Sequence, residues 1–221
     1  MRHLAQPRVL LRAIAASLLT TAACFPRLEL WPNRPCPAGY LAAVVFFCCI
    51  FLWGFVFAWH TQYSGRPVLM LKPDRRWFAA ATVAALLVAL TLHQFLDPAL
   101  RAKIPGDYPA DLKQWLGLTL FAVAFYPLFF IFAPFAWCLR LFKSQRVATV
   151  LTVLFGAFVL TTKAHSTPAP VSNAVFAMLL AGRVAAGFLA VWLYLRGGML
   201  LIWWWTLLIE SRNLLSLADN S

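Results

Sequence analysis

The chain has 221 residues, 62% of them hydrophobic and 12% charged, with a mean hydropathy of +0.76 and a formal net charge of +12. Soluble domains hold roughly 45–50% apolar residues, so a soluble core does not account for this excess. The basic balance would point to nucleic acid in a soluble protein, but here Lys and Arg fall between apolar stretches, where anionic head groups attract them, and nucleic acid is set aside as a partner.

A hydrocarbon core about 30 Å thick needs roughly 20 apolar residues as a helix. The pattern predicts an all-α, polytopic transmembrane helical bundle of about seven spans, at residues 9–24, 40–59, 77–96, 115–139, 147–162, 172–195 and 199–209. The first follows Arg2, Arg8 and Arg12 and reads as a retained anchor, with a signal sequence ending near Cys24 as the alternative. Residues 1–96 form an N-terminal membrane region of about three spans. Residues 97–114 form an external Pro-rich loop, because Pro98, Pro105 and Pro109 interrupt any helix and Asp97, Asp107 and Asp111 balance Arg101, Lys103 and Lys113. Residues 115–221 hold a four-helix membrane core, whose first span should kink at Pro127 and Pro134. Assigning alternate segments to the two sides places eleven basic residues with the N-terminus and seven opposite, which predicts a cytoplasmic N-terminus.

Five cysteines, with Cys48, Cys49 and Cys138 inside spans, do not make a disulfide framework; Cys24 and Cys36 remain as a pair that could meet outside the bilayer. Polar groups at membrane depth are costly, so Arg183, Glu210 and His93 stand out as intramembrane candidates, with Glu210 the expected partner of Arg183. The alternative for Glu210 and Arg212 is a helix end that reaches head groups. His60 is expected to meet interfacial water, His165 lies in a loop and His3 in the N-terminal tail. No two histidines share a helical i, i+3 or i, i+4 spacing, and no metal or other cofactor is expected. Ala181, Gly182, Ala185, Ala186 and Gly187 form a slim face for close helix packing. Trp203, Trp204 and Trp205 read as a head-group anchor, or as part of an interfacial segment.

Three segments together resemble the CPBP intramembrane proteases, named for CAAX-protein and bacteriocin processing. Residues 133–140 (APFAWCLR) are similar to that family's glutamate-pair helix end, with Arg140 in the arginine position. Residues 150–157 (VLTVLFGA) are similar to the helix leading to its first histidine, and residues 187–200 (GFLAVWLYLRGGML) resemble its Gly-rich hairpin. The resemblance covers the C-terminal 90–110 residues or so, and it implies a membrane hydrolase fold in a bacterial inner membrane. At the positions where the family carries its water-activating residues, this chain has Phe135 and Ala136 for the glutamates, Val159 for the first histidine, Glu210 for the second and Leu214 for the asparagine, with Asn213 one place early. Phenylalanine and alanine neither accept a proton nor bind a metal. The resemblance therefore implies a catalytically degenerate bundle that binds a membrane-protein or lipidated-protein partner within the lipid bilayer, with Glu210, Arg140 and Asn213 as the remaining catalytic candidates. The alternatives are an active divergent hydrolase built on His93, His165 and Glu210, and an accessory subunit of a membrane transport complex.

Overall fold

The computed structural model describes residues 6–31, 34–70, 74–165 and 172–218. Seven helices occupy them: α1 (Pro7–Glu29), α2 (Ala38–Ser64), α3 (Arg75–Arg101), α4 (Leu112–Phe142), α5 (Gln145–His165), α6 (Asn173–Glu210) and a short α7 (Arg212–Ala218). No strand occurs among the described residues, and six of the helices are long and apolar enough to cross a membrane. The protein is an all-α integral membrane bundle.

Local chemistry sets the helix starts. Pro7 opens α1 from the first turn, where its missing N–H is not needed. Asp74 caps α3 by accepting from the Arg76 amide at 3.0 Å. At α4 the capping is reciprocal, since Asp111 accepts from the Gln114 amide at 2.7 Å while the Gln114 side chain accepts from the Ala110 amide at 3.0 Å.

Three of the long helices contain one wide π-turn each, at Val56–His60, Leu92–Leu96 and Leu128–Phe132. The last two each end two residues before a proline, Pro98 and Pro134. A proline ring collides with the carbonyl four residues back, and the extra residue of a π-turn moves that carbonyl aside, so both helices run on through their prolines. For this reason the segment expected as an irregular loop is partly regular: Asp97–Arg101 prolongs α3, and Pro105–Asp107 forms a single 3-10 turn.

Helix α6 breaks at Gly198, whose φ of 67° and ψ of −161° are not helical. Trp192 packs edge-on to Trp77 with ring centroids 4.9 Å apart, and Trp204 stacks on the adjacent Phe78 at 5.0 Å. On a straight helix Trp192 and Trp204 would stand about 18 Å apart. The chain therefore doubles back at Gly198, and residues 173–197 and 199–210 stand where the apolar pattern predicts the sixth and seventh spans.

Two polar ends result. At the Gly198 end, the Met199 amide donates to the Val68 carbonyl at 3.2 Å, Arg66 donates to the Leu195 carbonyl, and Arg140 and Arg196 lie over the rings of Trp59 and Trp77. At the opposite end Arg27, Asp97, Asp107, Lys163 and Arg212 meet. Between the ends one buried core draws on α1 to α6, including Ala13, Trp53, Ala85, Phe132, Phe135, Ala148, Tyr194 and Trp205.

Several side chains sit differently from expectation. Trp205 is buried, and Trp204 stacks on Phe78 and donates to the Thr82 hydroxyl at 2.9 Å, so the tryptophan run packs inside the bundle instead of anchoring head groups. Of the slim face, Gly187 meets Val153 closely and Ala186 is half-buried, while Ala181, Gly182 and Ala185 are exposed on the outer side of α6. The reason is the helical turn, which directs Gly187 toward α5 and those three residues away from it. His60 does not reach interfacial water. The π-turn at Val56–His60 turns it inward, where it is 1% exposed and shares a 3.1 Å hydrogen bond between its Nδ1 and the Tyr194 hydroxyl. Cys24 is buried and Cys36 half-buried, and both are free.

Candidate functional site

The Asp97 end holds the densest polar network. Asp97 is the last residue before the α3 proline, so the π-turn that accommodates Pro98 also aims its carboxylate inward, where the residue is 2% exposed. Its Oδ2 accepts from Arg212 Nε at 3.0 Å, and its Oδ1 accepts from the Tyr108 hydroxyl at 3.0 Å. Arg212 also donates to the Ile209 carbonyl at 2.9 Å and stands 3.9 Å from Glu210 Oε2, which accepts from Asn213 Nδ2 at 3.2 Å. Trp115 at the start of α4 fixes the same corner by donating to the Glu210 carbonyl at 3.2 Å. Asp97 and Glu210 thus share one guanidinium, and Asp97 has the closer claim.

The segment between α3 and α4 is strapped over this network. Arg27 donates to the Gly106 carbonyl at 3.2 Å, Lys163 pairs with Asp107 at 2.5 Å, and Arg101 lies 4.9 Å over the Tyr108 ring. The Lys163–Asp107 pair is open to solvent and adds little to stability. The Arg212–Asp97 pair is buried. Burial, with the Asp97 carboxylate beside it, pushes the Tyr108 phenol well above the ordinary range, so it stays a donor to Asp97. A phenol ionises near pH 10 in an unfolded chain. Above that pH the unfolded state loses this proton while the folded state keeps it, and stability falls as pH rises. A stability profile from pH 8 to 11 is expected to show this alkaline decline, and Tyr108→Phe is expected to flatten it. An equally steep decline in the variant would show that another group is responsible.

Beneath the strap lies a cavity of about 560 Å³, within the usual size range of small-ligand sites. Leu28 and Ala122 form its buried inner wall, Leu41, Val44 and Val45 of α2 flank it, and Val44 is 67% exposed on the lipid-facing side. Trp31, Tyr108, Phe121 and Tyr126 supply aromatic surface, and Arg27, Asp107, Lys163, Glu210, Arg212 and Asn213 supply the polar groups. The cavity is amphiphilic, lined by apolar and aromatic side chains and by charged ones.

The sequence-derived candidates divide between the two ends. Glu210 and Asn213 share a hydrogen bond at the cavity, whereas Arg140 lies 4.2 Å over the Trp59 ring at the Gly198 end. Phe135 packs on Tyr194 and His60. The stretch of α4 from Phe135 back to Trp115, which bonds the Glu210 carbonyl, spans about 30 Å. The positions matched to the family's glutamates and to its second histidine are therefore not brought together. Val159 lies one turn before Lys163 on α5 and does not line the cavity.

Arg183 does not pair with Glu210. Its guanidinium lies 4.2 Å over the Phe130 ring and against Gly156, where an added Cβ would come within 3.2 Å of Nε. The cause is the direction of the side chain, which points between α4 and α5 while Glu210 faces the strap. His93 is half-buried on the π-turn just before Asp97, and its Nδ1 has no hydrogen-bond partner among the described residues. The side chain of His165 and all of His3 lie outside the described residues. No three His, Cys, Asp or Glu side chains among the described residues are grouped closely enough to hold a metal ion.

Sequence reading did not single out Arg27, Tyr108, Tyr126 or Tyr194. For Asp97 a signal existed in its position, at the end of an apolar run and ahead of a proline, but the charge balance of its neighbours pointed to a solvated loop. No protein-family model, curated protein or solved structure matches this chain.

Proposed function

We propose that this protein is a non-hydrolytic membrane bundle, similar in its C-terminal half to the CPBP proteases, that holds an acyl chain, of a membrane lipid or of a lipidated partner, in the cavity beneath the strap. The observation that carries the reading is the cavity itself: about 560 Å³, lined by apolar side chains of α2 and α4 and by charged ones, and flanked on the lipid side by the exposed Val44. Phe135, Ala136 and Val159 at the positions matched to hydrolytic residues support a binding role, because none of them can activate water.

Charge distribution supports an orientation with the Gly198 end in the cytoplasm of a bacterial inner membrane. Asp74 is that end's only described acid, against Arg66, Arg75, Arg76, Arg140, Lys143, Arg146 and Arg196, whereas acids and bases are mixed at the strap. The acyl chain then meets the cavity from the outer leaflet.

The test is labelling of the purified protein with a lipid and an acylated peptide that each carry a diazirine in the acyl chain, followed by peptide mapping. Labels are expected on residues 118–122 of α4 and are expected to drop roughly tenfold, about 1.4 kcal/mol of affinity, in Val44→Trp and Ala122→Phe. Val44 is exposed, so its variant tests access without disturbing the core. Labelling confined to the outer faces of α5 and α6, and unchanged in both variants, would refute the proposal.

A further inference from the structure

Two opposite charges face the cavity with hydrogen-bonding capacity to spare, Glu210 in an outlying ion pair at 3.9 Å and Arg27 in no ion pair among the described residues. Arg212 is taken by Asp97 and Lys163 by Asp107. That leaves Glu210, whose nearest cation stands 3.9 Å away, and Arg27, whose one hydrogen bond among the described residues goes to a neutral carbonyl, that of Gly106. Glu210 accepts from Asn213 through Oε2, so Oε1 retains its acceptor capacity, and one donated bond leaves most of the Arg27 guanidinium unused. The Tyr126 hydroxyl also makes no hydrogen bond among the described residues.

A carboxylate and a guanidinium set across one space complement a group that carries both charges. Around them Trp31, Phe121 and Tyr126 present ring surface, which attracts an ammonium electrostatically. An acyl chain running from the charged groups along Val44, Val45 and Leu118 would keep its methylenes on apolar wall.

We infer that the cavity selects a zwitterionic phospholipid of the ethanolamine type, with its ammonium on Glu210 and the aromatic rings and its phosphate on Arg27. This narrows the proposed function from any acyl chain to that of a phospholipid with a named head group, and it rests on the acyl-chain reading of the same cavity. The two charges of such a head stand a few bonds apart, so one molecule satisfies both side chains without a net change in charge. A purely anionic head would leave Glu210 unmatched and place a second negative charge beside it.

The experiment uses the full chain in nanodiscs with three diazirine-acyl probes: an ethanolamine phospholipid, a glycerol phospholipid and an acylated peptide. The ethanolamine lipid is expected to label residues 118–122 about tenfold more than the glycerol lipid, the size of one charge-assisted hydrogen bond. Glu210→Gln keeps the side chain's shape and is expected to abolish that preference while leaving acyl labelling in place. Arg27→Gln is expected to weaken labelling by both phospholipids and to spare the peptide. Equal labelling by the two phospholipids in the native protein, preference retained in Glu210→Gln, or strongest labelling by the peptide would each overturn the head-group inference. Loss of cavity labelling by every probe would instead remove the acyl-chain reading beneath it, which keeps the two failures distinct.

Discussion

Gly198→Ala is expected to destabilise the protein by about 3 kcal/mol or more, the sum of backbone strain and of a hydrogen bond displaced by the new methyl group. At φ 67° and ψ −161° the residue occupies a region that side chains with a Cβ rarely enter. An added Cβ would stand 3.0 Å from the Val68 carbonyl oxygen and 3.1 Å from the Met70 amide nitrogen. Both are main-chain atoms, which cannot swing aside as a side chain does. The Val68 carbonyl is also the acceptor for the Met199 amide, so relief of the contact breaks the link between the α2–α3 connection and the α6 hairpin. Gly182→Ala serves as control, because Gly182 lies in open space inside a helix and alanine should be neutral or slightly stabilising there. Reversible unfolding in mixed micelles measures both. A Gly198 variant as stable as the Gly182 variant would mean that the hairpin tolerates another turn geometry.

The long apolar helices were legible because they depend on apolar length alone. Residues 197–198 interrupt the last long apolar run, and Gly198 is where the chain turns. Helix ends ran longer than the apolar windows, as α4 shows by starting at Leu112 and ending at Phe142, since capping by Asp111 and the π-turn ahead of Pro134 extend it beyond its purely apolar part. What sequence could not supply was partner choice. Arg183 and Glu210 were a plausible pair by depth and charge, yet the turn at Gly198 sets their azimuths, and a side chain's direction around a helix cannot be read before the packing of that helix is known. The same limit applied to His60. Its π-turn shifts the register by one residue and moves an expected interfacial imidazole into the core against Tyr194.

The strap illustrates how a local balance of charges can hide long-range pairing. Read alone, residues 97–113 are neutral and Pro-rich, the signature of a solvated connection. Folded, their acids serve cations from other helices: Asp97 serves Arg212, and Asp107 serves Lys163. Only the first of these pairs is withdrawn from water, which makes Asp97 the fixed point of the strap and Asp107 its loose one. The cavity beneath inherits the consequence, because a strap held firmly at Asp97 positions Tyr108 and leaves Glu210 as the carboxylate still available to a ligand.

Removing both members of that fixed point should therefore cost less than the sum of removing each alone. Asp97→Ala is expected to destabilise the protein by about 3 kcal/mol, because it takes the closer carboxylate from Arg212, leaving it only Glu210 at 3.9 Å, and removes the acceptor of Tyr108. Arg212→Ala should have a comparable cost, since Asp97 and Glu210 would then face one another across the vacated space with no cation between them. In the double variant neither charge is left exposed to the other's absence. Its cost should fall short of the sum of the two single costs by about 2 kcal/mol, within the range measured for directly contacting residues. A parallel cycle on Lys163 and Asp107 supplies the contrast: that pair is more than a third exposed on both sides, and its coupling should stay below about 1 kcal/mol. Additive costs at Asp97 and Arg212, or equal couplings in the two cycles, would mean that the pair is hydrated in the membrane and that the strap is not anchored there. Asp97→Asn separates charge from hydrogen bonding, because the amide still accepts from Tyr108 while losing its attraction for Arg212, so it should fall between the native protein and Asp97→Ala.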